Sequence, residues 1–196
     1  MGAPIGGNDG SDGNDGTVRL RPVVEVDLPV LETFLTDPQA AGPFQWYGWS
    51  DPGRLRRRWA ENGLLTDEGG YLVVDTGGGA LGFVAWRQTS AGRTPYWNVG
   101  AQLRPEARGR GIGTAAQRLL VDYLFAHSPV VRLEADTETD NVAEQRSLEK
   151  AGFTREGVMR SIAFRDGRWR DAVRYAVIRG DAARPGTAGG PGTGRA

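Results

Sequence analysis

The sequence predicts a mixed α/β domain, in which helices lie on the faces of one mixed sheet. Short runs of alternating apolar and polar residues indicate strands, and longer runs with apolar residues three or four apart indicate helices. Their order is strand, two helices, three strands, helix, strand, helix and two strands, which is typical of this fold class. The 196 residues, 39% hydrophobic and 24% charged, have the composition of an ordinary globular protein.

Both ends of the chain differ in composition from this domain. Residues 1–16 combine glycine with Asn and Asp, and residues 181–196 combine glycine with proline. Such segments hold too few apolar side chains to form a core. The sequence therefore predicts disordered tails at residues 1–16 and 181–196 around a single domain at residues 17–180.

Composition also excludes several classes of protein. The chain has no cysteine and one histidine, which excludes disulfide scaffolds, thiol nucleophiles and metal sites with two or more histidines. We therefore expect no metal. The formal net charge is zero, so no overall attraction to nucleic acid is expected. No apolar run is long enough to cross a bilayer and no signal peptide is recognisable, so we expect a cytoplasmic protein without membrane contact.

The first half of the domain is predicted to form one strand, two helices and a hairpin. Asp27 and the pair Asp51-Pro52 are residue types that begin helices, while Pro38 and Gly63 end them. The predicted ranges are Thr17–Val24 for the strand, 28–37 and 52–62 for the helices, and Tyr71–Val74 and Ala80–Arg87 for the hairpin.

The second half is predicted to form a strand, a helix, a strand, a helix and a final hairpin. Gly152 ends the last helix, and Asp166-Gly167 forms the hairpin turn. The predicted ranges are Tyr96–Leu103, 112–124, Val130–Ala135, Val142–Ala151, Gly157–Phe164 and Trp169–Ile178.

A glycine-rich loop lies between the strand Tyr96–Leu103 and the helix that follows it. Gly109, Gly111 and Gly113 leave no side chains over the backbone amides, and a helix N-terminus attracts anions, so the loop is suited to bind phosphate. It lacks the lysine of a nucleotide-hydrolysing P-loop, and its spacing differs from the Gly-x-Gly-x-x-Gly of dinucleotide sites. A plain glycine turn is the alternative.

The loop and two neighbouring stretches resemble the GNAT family of acyl-CoA-dependent N-acyltransferases. The similarity is strongest in Val99–Leu124, with its Arg-x-x-Gly-x-Gly motif, and in Asn141–Phe153. The segment from Asp166 to Tyr175 is most similar to the subgroup that acetylates the N-termini of ribosomal proteins. The resemblance implies a mostly antiparallel mixed sheet that splays apart between two strands, with helices on both faces.

The resemblance also implies where acetyl-CoA binds. The loop would bind its pyrophosphate, the strand segment Ala101–Leu103 would pair with its pantetheine arm, and the thioester would lie between Tyr96–Leu103 and Val130–Asp136. The amine acceptor would enter from the opposite side. The residues expected to contact coenzyme A are Ala101, Gln102, Leu103, Arg108, Gly109, Arg110, Gly111, Ile112, Gly113, Thr114, Asn141 and Ser147.

The residues that would move protons are only partly those of the family. Glu134 or Asp136, at the end of a strand beside the expected thioester, could accept the proton of the amine, although a solvated carboxylate is the alternative for each. The tyrosine of many relatives is replaced by Leu148, and the serine of the ribosomal subgroup by Glu144. Glu144 could donate a proton only if burial raised its pKa; otherwise water would do so. Asn141 is expected to cap a helix and to contact pantetheine.

The acceptor is expected to contact an aromatic loop. Phe44, Trp46, Tyr47 and Trp49 lie within six residues, beside Gly and Pro. The arginines at positions 54 and 56–58 are expected to form a solvated helix face, with contact to an acidic acceptor as the alternative.

The predicted function is the transfer of an acetyl group from acetyl-CoA to a primary amine, either a protein N-terminus or a small molecule such as an antibiotic. Direct attack in a ternary complex is expected, because no cysteine is present to carry the acyl group. One alternative is a non-catalytic acyl-CoA-binding or regulatory module, and another is a nucleotide-binding protein of a different class. The sequence does not distinguish a monomer from a homodimer.

Overall fold

A computed structural model describes residues 5–6 and 16–181. Most of the two predicted disordered tails therefore lies outside the described residues. Within the first of them, Ile5–Gly6 forms a short strand, β1, that pairs antiparallel with Arg19 and Leu20.

The remaining elements follow the predicted order, with two short additions. The other strands are β2 (Arg19–Pro22), β3 (Leu65–Thr66), β4 (Gly69–Asp75), β5 (Ala80–Ala91), β6 (Thr94–Leu103), β7 (Arg132–Glu138), β8 (Thr154–Arg165) and β9 (Arg168–Ile178). The helices are α1 (Leu28–Thr36), α2 (Pro38–Ala41), α3 (Arg54–Asn62), α4 (Ile112–His127) and α5 (Val142–Lys150), with single 3₁₀ turns at Glu25–Asp27 and Pro105–Ala107. The four-residue α2 and the two-residue β3 are too short to show a periodic pattern and were not predicted.

Several predicted boundaries are wrong by two to four residues, and two of them have a local cause. The helix α3 begins at Arg54 rather than at Pro52, because the Asp51 carboxylate accepts a hydrogen bond from the Gly53 amide (3.0 Å) and closes a turn ahead of it. The strand β7 begins at Arg132 rather than at Val130, because the Val130 carbonyl instead accepts a hydrogen bond from the Arg179 side chain (3.0 Å).

The strands of the described residues form one mixed sheet in the order β1-β2-β4-β5-β6-β7-β9-β8, with β3 paired to β4. Every neighbouring pair is antiparallel except β6 and β7, which are parallel. The predicted fold class, a mostly antiparallel mixed sheet, is confirmed.

The strands β6 and β7 separate soon after they meet. They pair only at Trp97 with Leu133 and at Asn98 with Glu134. Beyond these pairs, β6 stays paired to β5 as far as Leu103, and β7 stays paired to β9 as far as Glu138. In the described part of the chain, the segment Val99–Leu103 therefore has no strand partner on its β7 side, and the predicted splay is confirmed.

Helices pack on both faces of the sheet, and a separate hydrophobic core lies beneath the helices of each face. The pair α4 and α5 packs against apolar side chains of β6 and β7, whereas α1 and α3 pack against β4 and β5. The first core includes Val99, Leu103, Ile112, Leu120, Leu133 and Leu148; the second includes Leu28, Leu31, Leu55 and Val73. Side chains alternate along a strand, so Asn98, Gly100, Asp136 and Glu138 face away from α4 and α5.

Among the described residues, no helix combines the length and the apolar character that a membrane span requires.

Candidate functional site

The glycine loop before α4 is open on its outer side. Gly109 (φ +72°) and Gly111 (φ +78°) adopt left-handed backbone conformations that favour glycine. A Cβ atom built on either residue would have no heavy atom of the described chain within 4 Å. The backbone of the loop is therefore accessible on this side, which fits the phosphate group that the resemblance implies.

The first turn of α4 adds amides to those of the loop. Gly111 is the N-cap residue, and no side chain caps this end of the helix. The first amides of a helix have no partner within it, and they carry the positive end of its dipole. A Cβ on Gly113 would lie 3.6 Å from Leu103 Cδ1 and 4.0 Å from Ser147 Oγ. The structure thus brings together the loop, the end of β6 and α5, as predicted for coenzyme A.

The two arginines of the loop differ in their partners. Arg108 Nε donates a hydrogen bond to the Leu103 carbonyl (2.9 Å), and another of its nitrogens donates to the Ala40 carbonyl. Burial lowers the pKa of Arg108 below its ordinary value. Its guanidinium therefore ties the loop to β6 and α2, although Arg108, like Arg110, is exposed as a residue. A charged contact with phosphate stays a prediction, and Arg110 is the better placed of the two.

A chain of polar side chains joins α4 and α5 beside Gly113. Thr114 Oγ1 and Ser147 Oγ are 2.9 Å apart, and Ser147 Oγ donates to Gln117 Oε1 (3.1 Å). Gln117 Nε2 in turn donates to Glu144 Oε1 (2.6 Å). Gln117, which is buried, was not singled out from the sequence. The sequence feature that could have identified Gln117 is its polar amide side chain among the apolar residues of α4.

Glu144 lies in a desolvating environment at one end of this polar chain. Burial raises the pKa of Glu144 to about 7, against the smaller opposing effect of the hydrogen bond from Gln117. The condition under which Glu144 can donate a proton near neutral pH is therefore met.

Asn141 caps α5, as expected from its position. Its Oδ1 accepts a hydrogen bond from the Glu144 amide (3.3 Å), and its Nδ2 donates to Thr137 Oγ1 (3.0 Å). The side chain thereby fixes the start of α5 against the end of β7. Contact between Asn141 and pantetheine stays a prediction.

A cavity of about 780 Å³ lies on the face of the sheet opposite α4 and α5. It reaches the gap between β6 and β7, where Val99, Gly100 and Asp136 line it, and extends to α3 and the loop before it. The lining residues that were not singled out from the sequence include Tyr71, Arg87, Met159 and Ile162.

Two of the four aromatic residues that are expected to contact the acceptor line this cavity. Phe44 and Tyr47 line it, but Trp46 and Trp49 do not. The two tryptophan rings instead pack edge to face, with centroids 5.8 Å apart. Burial raises the pKa of Tyr47, and the negative charge of Glu138 raises it further. Contact of the acceptor with these four aromatic residues stays a prediction, and Phe44 and Tyr47 are the two that line the cavity.

The two predicted bases occupy different environments. Glu134 is 4% exposed, and its two oxygens form ion pairs with Arg132 (2.7 Å) and Arg174 (3.2 Å). Asp136 is exposed and lines the cavity, where it forms an ion pair with Arg174 (2.9 Å) and accepts a hydrogen bond from Asn98 (3.4 Å). Glu134 does not line the cavity, because β6 and β7 are still paired at its position. Of the two carboxylates, Asp136 therefore lines the cavity and Glu134 does not, and a role of either as the base stays a prediction.

Glu138 closes the end of β7 with a buried ion pair. Arg165 Nε and a second guanidinium nitrogen donate to the two Glu138 oxygens at 2.8 and 2.7 Å, and both side chains are almost completely buried. Arg165 also lies 5.9 Å from the centroid of the Phe44 ring and bonds Asp166 (2.6 Å). This pair ties the β8–β9 hairpin to β7 beside the cavity.

Residues 17–154 of the chain match the family described as "Acetyltransferase (GNAT) domain". Among curated proteins, "Probable N-acetyltransferase YjcK" of Bacillus subtilis is 36% identical over 101 residues, which are 52% of this chain and 56% of that protein. The chain thus spans about half the length of this relative, and the same holds for the second curated match from the same organism.

Solved structures share the fold at lower identity. Mycobacterium smegmatis RimJ in complex with CoA-disulfide superimposes with a TM-score of 0.70 at 23% identity, covering 86% of this chain and 85% of that one. Ribosomal-protein-alanine N-acetyltransferase from Brucella melitensis superimposes with a TM-score of 0.69 at 24% identity, covering 81% and 98% respectively. The similarity to ribosomal-protein acetyltransferases that the hairpin segment indicated is thus found in the fold as well.

Proposed function

Because the chain belongs to the GNAT acetyltransferase family, we propose that it transfers an acetyl group from acetyl-CoA to a primary amine. The amine is a protein N-terminus or a small molecule. The observation that carries this proposal is the gap between β6 and β7, which adjoins the open glycine loop at one end and the cavity on the opposite face. A donor on one side and an acceptor on the other would meet there.

The residues that would hold coenzyme A are those of the loop and its surroundings. The amides of the loop and of the first turn of α4 would bind the pyrophosphate. The unpaired edge at Val99–Leu103 would pair with the pantetheine arm as an added strand would. The bound thioester supplies the activated acetyl group. A backbone amide of this edge would polarise its carbonyl oxygen.

Asp136 would receive the acceptor amine on the cavity side. Its carboxylate would orient the amine and take up a proton from it, directly or through water. The pKa of a peptide α-amine is near 8, about two units below that of a lysine side chain, so an N-terminal amine needs less help from a base. Alignment of the amine in the cavity would then supply most of the rate enhancement.

On the opposite side, Glu144 would donate a proton to the departing sulfur. The raised pKa of Glu144 keeps much of this carboxyl protonated at neutral pH. Gln117 bonds Glu144 and Ser147 and thereby positions the carboxyl beside Gly113 and the coenzyme site.

We expect Glu144→Gln to lower kcat by at least about 10-fold and to change the affinity for coenzyme A by less than about 2-fold, because the amide keeps the shape and cannot donate an acidic proton. In the parent protein kcat should fall as Glu144 loses its proton above pH 7, and this decline should vanish in the variant. Kinetics from pH 6 to 9 and calorimetry with coenzyme A measure the two effects. An unchanged pH profile would exclude Glu144 as the donor.

Stability provides an independent check of the same group. The pKa of Glu144 is raised from 4.5 to about 7, so between these values the folded chain holds a proton that the unfolded chain has lost. Stability is therefore lost as the pH rises through this window. The variant Glu144→Gln avoids that loss, so its stability relative to the parent should be greater at pH 8 than at pH 5, by on the order of 1–3 kcal/mol.

One observation favours the non-catalytic module as a second candidate. The position of the family tyrosine holds Leu148, which is 1% exposed and cannot donate a proton. If Glu144 does not replace it, the chain would bind the acyl donor without turnover.

The release of free thiol from acetyl-CoA, followed with a panel of peptides and small amines, tests the proposed function. We expect release that depends on acceptor concentration, together with acetylated amine detected by mass spectrometry. Tight coenzyme A binding without release on any acceptor would support the module instead. Thermal stabilisation by NAD but not by coenzyme A would contradict both.

A further inference from the structure

Three arginines form the positive side of the cavity. Arg54 and Arg58, one helical turn apart on α3, line it together with Arg87 of β5, and all three are exposed. Within residues 16–181, none of the three forms an ion pair. The two arginines between them on α3 are different: Arg56 pairs with Glu32 (3.2 Å), and Arg57 pairs with Asp51.

The carboxylates of the cavity do not balance these charges. Asp136 accepts two hydrogen bonds from Arg174, at 2.9 and 3.0 Å, and Glu138 is held by Arg165. Neither of these partner arginines lines the cavity. The remaining carboxylate among the described lining residues is Glu68, which is exposed. Asp51 does not line the cavity; it forms an ion pair with Arg57 and also attracts Arg54 electrostatically. Among the described residues that line the cavity, three guanidinium groups without an ion pair therefore face one carboxylate without an ion pair.

This distribution favours an acceptor that carries negative charge away from its amine. Guanidinium groups bind carboxylates through paired, charge-assisted hydrogen bonds. A polycationic amine would instead place its other charges against three arginines, and like charges in contact oppose binding. The amine itself would lie at the gap, which Asp136 and Asn98 line. Arg87 is the cross-strand partner of Asn98 and lies beside the gap, whereas Arg54 and Arg58 lie on α3.

The size of the cavity favours a peptide over a single amino acid. Its volume of about 780 Å³ lies within the range that accommodates ligands much larger than one amino acid. Phe44, Tyr47 and Tyr71 also line the cavity and would provide apolar contact for peptide side chains.

We propose that the acceptor is a peptide amino terminus with acidic side chains among its first few residues, which Arg54, Arg58 and Arg87 bind. This inference rests on the proposed function, because it takes the cavity to be the acceptor site. It deepens that function by assigning the charge of the acceptor and the residues that select it.

Peptides that differ only at positions two to four test the proposal. With acetyl-CoA as donor, we expect kcat/KM to be at least 10-fold higher for a peptide with three glutamates than for one with three lysines, and intermediate with three glutamines. The preference should weaken at high salt, because exposed arginines are screened. Free glutamate, as a further acceptor, distinguishes an amino acid from a peptide; a higher kcat/KM for it than for the acidic peptide would overturn the assignment to a peptide.

A charge reversal on α3 tests the residues. Arg54→Glu/Arg58→Glu should lower kcat/KM for the acidic peptide at least 10-fold and raise it for the basic peptide. The matched control is Arg56→Glu/Arg57→Glu, which makes the same change in net charge on the same helix outside the cavity lining. The control should keep the parent's preference. Equal effects of the two double variants would overturn the assignment.

Peptide binding without any acetyl donor separates this inference from the proposed function. Calorimetric titration of the acidic and basic peptides into the free protein should show the same order of affinity. Equal affinities would overturn the inference and leave acetyl transfer intact. The absence of thiol release with every acceptor, despite selective binding of the acidic peptide, would overturn the proposed function and leave the charge selection standing.

Discussion

We expect Gly113→Asp to weaken coenzyme A binding by at least about 100-fold while the chain keeps its fold. Gly113 lies in the first turn of α4, outside the left-handed region, and a Cβ there meets only ordinary contacts at 3.6 and 4.0 Å. A carboxylate near a helix N-terminus stabilises the helix. The same carboxylate would occupy the place proposed for the pyrophosphate and repel it. Calorimetry with coenzyme A measures the loss, and circular dichroism verifies the fold.

The control is Gly113→Asn, which has nearly the same size and no charge. If charge repulsion dominates, Asn should retain much more affinity than Asp, whereas a purely steric effect would weaken both equally. Gly111→Asp should also abolish binding, but its backbone (φ +78°) adds strain that confuses loss of binding with loss of fold. Unchanged coenzyme A affinity in a folded Gly113→Asp variant would exclude this loop as the pyrophosphate site.

The second large effect is expected at the buried ion pair beside the cavity. Arg165→Met should lower the free energy of unfolding by about 3–5 kcal/mol, because the Glu138 carboxylate would stay buried without its partner. Chemical denaturation of the parent and the variant measures the difference.

The double variant Glu138→Leu/Arg165→Met provides the control. With both charges removed, no carboxylate remains unpaired, so the double variant should be more stable than Arg165→Met alone. A double variant that is less stable than the single one would mean that Arg165 stabilises the chain mainly through packing and through Phe44, rather than through Glu138.

Local features of the sequence predicted much of what the structure contains. Asn141 as a helix cap, the left-handed glycines of the loop and the Asp166-Gly167 turn each follow from the chemistry of one or two residues. The separation of β6 from β7 is different in kind. No spacing in either strand predicts it, and it was expected only from the resemblance to a family.

The parts of the site that were missed depend on residues far apart in the chain. Glu138 and Arg165 are separated by 27 positions, as are Gln117 and Glu144, so no local pattern reveals either pair. For another reason, the sequence does not predict which rings of the aromatic loop line the cavity. The backbone of this loop is irregular, with Gly48 at φ +100°, and has no period from which to infer the directions of the rings. Phe44 and Tyr47 line the cavity, and Trp46 and Trp49 do not.

The positive charges of the cavity are all guanidinium groups, in a chain whose single lysine is Lys150. The nitrogens of a guanidinium group are donors without an available lone pair, so they do not attack a thioester. An ammonium group at Arg54, Arg58 or Arg87 would, by contrast, be a primary amine inside the cavity proposed for the acceptor. If the cavity binds the acceptor as proposed, arginine at these positions would keep the protein from acetylating its own lining.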